Sequence, residues 1–229
     1  LDAVDYVSRA GHKLAKALDE FGALDIVGKQ ALDVGASTGG FTDVLLRRGV
    51  EKVFAIDVGH EQMVEQLFEH PKVICVEGFN ARELSPETLS ERTGIPQSHI
   101  NIDIVVGDLS FISLTLVLPA LVPLLAPGGH LLMLVKPQFE LQPGQVGKGG
   151  IVRDASLYAV VEQRIRDCCA ELGLEVQAWL DSPISGGDGN REFFIHASKV
   201  AVQAKKVEVV VVKIKAAAKT AKKSTAKAK

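Results

Sequence analysis

Cysteine is scarce in this 229-residue chain. Cys75, Cys168 and Cys169 make an odd count with no C-x-x-C spacing, and the six histidines are scattered. That pattern argues against a disulfide framework and against a metal site, and it fits a reducing, cytoplasmic setting. Long apolar runs are missing as well. The stretch from Leu114 to Ala126 is interrupted by Pro119 and Pro123, and it falls short of the ~20 residues that cross a bilayer. No basic segment followed by an apolar core opens the chain, so no secretory signal is read. The chain begins at Leu1 rather than Met, and an upstream part is expected to have been removed.

What is present suits one α/β domain, since 47% hydrophobic residues can fill a large core. Charge is unevenly placed. Seven lysines and no acid lie between 213 and 229, so a net charge of −2 overall leaves −9 on residues 1–212. A tail of lysine, alanine and threonine buries little apolar surface and is expected to be flexible. It would serve either as a non-specific nucleic-acid tether or as a solubilising extension.

The organising stretch is Ala31 to Thr42, ALDVGASTGGFT. Ala31-Leu32-Asp33-Val34 reads as a buried strand, Gly35-Ala36-Ser37-Thr38-Gly39-Gly40 as a tight turn, and Phe41 onward as a helix. Glycines let a ligand approach the backbone, and a helix start offers unpaired N–H groups to it. The spacing G-x-x-x-G-G is neither the dinucleotide fingerprint nor a phosphate loop. A second strand, Lys52 to Asp57, ends in an acid 22 residues beyond Gly35. An acid there accepts hydrogen bonds from ribose hydroxyls, which narrows the ligand to an adenosine-containing cofactor.

Further strands are read at Lys72–Glu77, Asn101–Asp108, Gly129–Val135, Glu175–Leu180 and Glu192–Ala197. Helices are expected from Ser8 to about Phe21, within Leu84–Ser98, around Leu116–Leu125, and from a cap at Asp154 to about Leu172. Pro127-Gly128-Gly129 should turn the chain, and Gln142–Gly150, with four glycines, is a candidate lid. Together these make a doubly wound α/β sheet of seven strands, mostly parallel, with an antiparallel last strand. Asn80 and Ala81 follow the third strand and face the same crevice. Asp108 ends the fourth strand, Lys136 the fifth, where Pro137 fixes it, and Glu192 opens the seventh; all lie where such sheets bind ligands. Lys13 falls beside the apolar stripe of Leu14, Ala17, Leu18 and Phe21, and by composition alone it is a solvated helix lysine.

Six blocks carry a wider pattern: Tyr6-Val-Ser-Arg-Ala-Gly-His-Lys13, Gly35-Ala-Ser-Thr-Gly-Gly-Phe-Thr-Asp43, Ala55-Ile-Asp-Val-Gly59, Asp108-Leu-Ser-Phe-Ile-Ser-Leu114, Val135-Lys-Pro-Gln-Phe-Glu140 and Gly189-Asn-Arg-Glu-Phe193. In this order they resemble the TlyA family of rRNA 2′-O-ribose methyltransferases, also called haemolysin-like proteins, within the FtsJ-like group. The resemblance implies a Rossmann-like class I fold and S-adenosyl-L-methionine as cofactor. Gly35 to Phe41, Asp57, Val58, Asn80, Ala81 and Asp108 would hold that cofactor. It also implies a catalytic tetrad, which falls here on Lys13, Asp108, Lys136 and Glu192.

A ribose 2′-hydroxyl needs its proton removed as it attacks a sulfonium methyl, and a sheltered lysine beside an acid is a suitable base. Lys136 is expected in that role, Asp108 orienting it, and Lys13 with Glu192 positioning the ribose. The substrate implied is cytidine in ribosomal RNA or ribosomal subunits. Residues 1–22 would be a linker and helix carrying the tetrad lysine, 23–200 the methyltransferase domain, and 201–229 the tail. The family carries an S4-type RNA-binding domain ahead of Tyr6, which this chain starts too late to contain. Two alternatives stand beside this reading: a membrane-active haemolysin, for which no spanning or amphipathic insertion segment is seen, and a non-catalytic RNA-binding module.

Overall fold

The computed structural model describes residues 5–22 and 24–201. The lysine-rich tail lies outside them. Seven strands form one sheet: β1 (Gln30–Val34), β2 (Lys52–Ile56), β3 (Val73–Val76), β4 (Ile102–Gly107), β5 (Leu125–Val135), β6 (Leu174–Asp181) and β7 (Phe193–Lys199). Their order is β3-β2-β1-β4-β5-β7-β6, with β7 antiparallel to both its neighbours and the other pairs parallel. The seven-stranded α/β architecture read from the sequence is therefore present, antiparallel strand included.

The central strands are apolar throughout because both faces are covered. Alternation then assigns each residue to one of two cores. In β5, Leu131, Met133 and Val135 enter one, and Leu132 and Leu134 the other. The second core is roofed by α1 (Arg9–Phe21) and α2 (Gly40–Arg47). The first is roofed by α4 (Pro86–Thr93), α5 (Leu118–Leu121) and α7 (Leu157–Glu171). Two single-turn helices, α3 (Glu65–Phe68) and α6 (Pro137–Glu140), sit at strand ends.

Several local expectations change. The helix expected around Leu116–Leu125 shrinks to a 3-10 turn at Leu114–Leu116 and the single turn of α5. Pro119 is tolerated near a helix start, but Pro123 has no N–H to continue the helical ladder. The turn expected at Pro127-Gly128-Gly129 is instead a bulge inside β5, where the register jumps from Ile102↔Leu125 to Ile104↔His130. Ser8 is the N-cap of α1, yet its side chain makes no capping bond. Asp154 does not cap α7 directly; its Oδ1 accepts from the backbone N–H (2.9 Å) and hydroxyl (2.6 Å) of Ser156, which holds the N-cap place.

β1 and β4 are adjacent, and the chain winds away from them in opposite directions. Such a switch point opens a crevice at the carboxyl ends of the strands. Gly35 and Asp108, the residues immediately after β1 and β4, meet at it. A side chain at Gly35 would place its Cβ 2.6 Å from the Asp108 carbonyl oxygen, and the φ of +79° is one that glycine adopts without strain.

Candidate active site

The cleft at the switch point has two lobes. The outer, of about 460 Å³, is bounded by Asp57, Val58, Phe79, Asn80 and Ala81; the inner, of about 330 Å³, by Ser8, Arg9, Thr38, Phe41 and Lys136. Gly35, Ser37, Asp108 and Ser110 line both. A larger groove of about 810 Å³ beside α7 contains none of the four tetrad residues and no glycine turn, so the chemistry points to the smaller cleft.

The outer lobe is built around Asp57. Its Oδ2 accepts from the Ser37 backbone N–H and its Oδ1 from that of Gly59, each at 2.7 Å. These bonds aim the carboxylate and leave lone pairs on both oxygens for ribose hydroxyls. Asn80 uses its side-chain oxygen to accept from the Arg82 backbone N–H at 3.0 Å, and Phe79, 7% exposed, supplies an apolar wall. Of the expected cofactor residues, Gly35 to Thr38, Gly40, Phe41, Asp57, Val58, Asn80, Ala81 and Asp108 line the cleft. Gly39 does not; it packs against Leu67. An acid aimed at a ribose, apolar walls for an adenine and a glycine turn open to the donor's amino-acid end fit S-adenosylmethionine.

The inner lobe holds the charges. Lys136 Nζ lies 2.5 Å from Asp108 Oδ1 and donates to Ser110 Oγ at 2.9 Å. Lys13 Nζ donates to Glu192 Oε2 at 2.5 Å, across 179 residues of sequence. Lys13 is 7% exposed and Glu192 3%, so the solvated-lysine reading from composition does not hold. Burial raises the Glu192 carboxyl above its ordinary range, while Lys13 and then Lys136 pull it down and Asp108 pushes it up. The four residues therefore act on one another as two neighbouring ion pairs, with Lys136 and Asp108 facing the cleft and Lys13 and Glu192 behind them.

Sequence reasoning missed several neighbours. Ser110 receives Lys136 and lines both lobes. Phe111 is 89% exposed in a left-handed conformation (φ +62°), with its ring 4.9 Å from that of Phe139. Asp33 is fully buried on the α2 side of β1, where Oδ2 accepts from Thr42 Oγ1 at 2.7 Å and Oδ1 has no partner. Burial, opposed by the Thr42 bond, pushes its carboxyl up to about 7. An aromatic set between two serines, in Asp108-Leu-Ser-Phe-Ile-Ser-Leu114 after a strand end, was the one available signal; Asp33 read only as part of a strand. Among the described residues no cluster suits a metal ion, and no helix is long and apolar enough to cross a membrane. The candidate lid contains 3-10 turns at Pro143–Gln145 and Lys148–Gly150, and buried Asn190 pins its end through Gly150 O (2.8 Å) and Val152 N–H (2.9 Å).

The chain matches the family model for FtsJ-like methyltransferases over residues 6–199. It is 45% identical to a Mycobacterium tuberculosis protein named 16S/23S rRNA (cytidine-2′-O)-methyltransferase TlyA, over 83% of this chain and 67% of that one. A crystal structure of a protein from Lactococcus lactis, described as a hemolysin, superposes with a TM-score of 0.79 at 39% identity, covering 88% of this chain and 94% of its own. At 14% identity the fold is still shared, with a TM-score of 0.59, by a Listeria monocytogenes protein described as an S-adenosylmethionine-dependent methyltransferase, over 84% of this chain and 99% of that one. A family model spanning the whole described sheet, together with a close relative matched over two thirds of its length, leads to one conclusion: the chain belongs to the FtsJ-like methyltransferase family.

Proposed function

We propose that the protein methylates the 2′-hydroxyl of a ribose in ribosomal RNA, a cytidine as in the mycobacterial relative's name, with S-adenosylmethionine as donor. The observation that carries this reading is the Lys136–Asp108 ion pair, 2.5 Å long, on the wall of the cleft that the glycine turn and Asp57 shape for the donor. Bound S-adenosylmethionine supplies a sulfonium methyl that an oxygen nucleophile can take directly. Gly35 to Thr38 and Asp57 would hold and orient it, and Phe79, Asn80 and Ala81 would line the adenine end.

Lys136 Nζ would accept the 2′-hydroxyl proton as that oxygen bonds to the methyl carbon and the methyl–sulfur bond breaks, the sulfur leaving as a neutral thioether. Asp108 and Ser110 fix the direction of Nζ, and Lys13 with Glu192 sets the charge behind them and positions the ribose. Phe111 offers a face on which the target base can stack, a contact worth about 1–3 kcal/mol. Residues 1–22 supply the tetrad lysine, 23–200 the methyltransferase domain, and the tail from 201 counter-charge for RNA.

The test is methyl transfer from labelled donor to 16S and 23S rRNA. K136A should lower kcat by about 10²–10⁴-fold with donor binding retained. K136R should be equally inactive, because a guanidinium keeps its charge but gives up no proton in this pH range. Near-normal turnover in either variant would remove Lys136 from the role of base. A lytic activity, suggested by the hemolysin description of the Lactococcus lactis structure, finds no spanning helix among the described residues; dye release from vesicles without methylation would favour it.

A further inference from the structure

We propose that Glu140 is a positioning residue, whose buried carboxylate locks the Asp108–Leu114 loop against α6 and so sets the geometry of Lys136 with Asp108. This rests on the reading of Lys136 as the base and adds to it a residue that touches neither donor nor ribose.

Glu140 is 3% exposed at the end of α6, four residues after Lys136. A carboxylate removed from water costs several kcal/mol unless its oxygens are bonded, so its partners show what the burial achieves. Oε2 accepts from the Ser113 hydroxyl at 2.5 Å and Oε1 from the Leu114 backbone N–H at 2.8 Å. Its backbone carbonyl accepts from the Arg164 guanidinium of α7, which fixes this end of α6 to the body of the fold. Both side-chain bonds cross from α6 to the segment that begins at Asp108.

Three links therefore join residues 136–140 to residues 108–114. Lys136 reaches Asp108 and Ser110, Phe139 packs on Phe111, and Glu140 grips Ser113 and Leu114. Only the first contains reacting groups. Phe111, in the middle, holds a left-handed backbone that an exposed side chain does not stabilise, and such strain persists only where the surroundings enforce it. With Glu140 removed, the loop can relax at Phe111, and Asp108 and Ser110 move relative to Nζ.

The test uses the full chain with E140A, E140Q and S113A, and two readouts. One is the acylation rate of Lys136 by a small anhydride, followed by mass spectrometry with exposed Lys16 as internal reference; it needs neither donor nor RNA. The other is kcat and the donor KM for rRNA methylation. In E140A, Lys136 should be acylated about threefold faster or more while Lys16 is unchanged, because its enclosing contacts open. E140A should also lose roughly 10- to 100-fold in kcat with little change in KM, the scale of a misplaced reacting group. S113A should move both readouts the same way by less, and it carries the comparison if E140A does not fold. E140Q keeps an acceptor for Leu114 and a partner for Ser113, and it should restore both.

Unchanged Lys136 labelling in folded E140A or S113A, or an E140Q variant as impaired as E140A, overturns the positioning role. Absence of methylation by the wild-type protein overturns the ribose methyltransferase reading instead, and the labelling comparison still decides the role of Glu140.

Discussion

At the scale of single residues, the carboxylates show how burial sets role. Asp57 and Asp108 stand at the cleft, Asp108 paired with Lys136, whereas Asp33, one strand position before Val34, is sealed behind α2 with one oxygen unpaired. Its carboxyl rises from 3.8 to about 7, burial being the main cause. A raised folded-state value means that the folded chain holds a proton the unfolded chain releases, so stability is full below about pH 4 and is lost as pH rises toward and through 7. D33N should therefore match the wild type near pH 4 and gain stability relative to it, on the order of a few kcal/mol, by pH 8. Chemical denaturation at a series of pH values checks this; a constant difference would mean that Asp33 titrates normally. In the sequence Asp33 was legible only as an acid in a strand. Whether it met solvent or Thr42 depends on α2 folding over that face.

At the scale of elements, α1 is the part most dependent on the rest. Its apolar face was readable from the spacing of Leu14, Ala17 and Leu18, all buried in the core it shares with α2. What holds its register is close packing at glycine: a Cβ on Gly40 would collide with Ser8 Oγ and press on Gly11. G40A should therefore force the Ser8 side chain to turn away and α1 to shift slightly at Gly11, lowering the melting temperature in a thermal scan; an unchanged melting temperature would mean that the contact is not tight. The second anchor is electrostatic. Removing one member of a buried pair strands the other charge, so K13A should cost about 3–5 kcal/mol in denaturant unfolding, and K13M/E192Q should recover most of it. If the single variant were no less stable than the double, the Lys13–Glu192 contact would be carrying little. The lysine's burial could not be read locally, because its partner lies 179 residues away.

At the scale of the whole molecule, the fold places its reactive groups at one end of the sheet while the sequence places its cationic excess at one end of the chain. Residues 1–212 carry −9, which repels a phosphate backbone, and the seven lysines from 213 onward oppose it. Counterion release makes RNA affinity fall with salt in proportion to the phosphates neutralised. Deleting residues 213–229 should weaken rRNA binding and flatten the slope of log affinity against log salt. An identical slope would assign the phosphate contacts to the body of the protein. This prediction rests on sequence charge alone, since the tail lies outside the described residues.

The sequence by itself determined the sheet and the place of the cleft. Apolar runs the length of a strand, each ending in glycine or an acid, are local patterns, and a parallel strand buried on both faces has little choice of role. It also marked Asp57, Asp108 and Lys136, because charge at the end of such a run is conspicuous. Only the tertiary structure decided that Lys13 is buried, that the Leu116–Leu125 stretch keeps a single helical turn before β5, and that Phe111 and Glu140 lie against the segments carrying Asp108 and Lys136. Those outcomes depend on groups far apart in the chain being brought within 3 Å of one another, as Lys13 is to Glu192 and Glu140 to Ser113. Local propensity carries no information about such distances; packing two helical layers on one twisted sheet sets them.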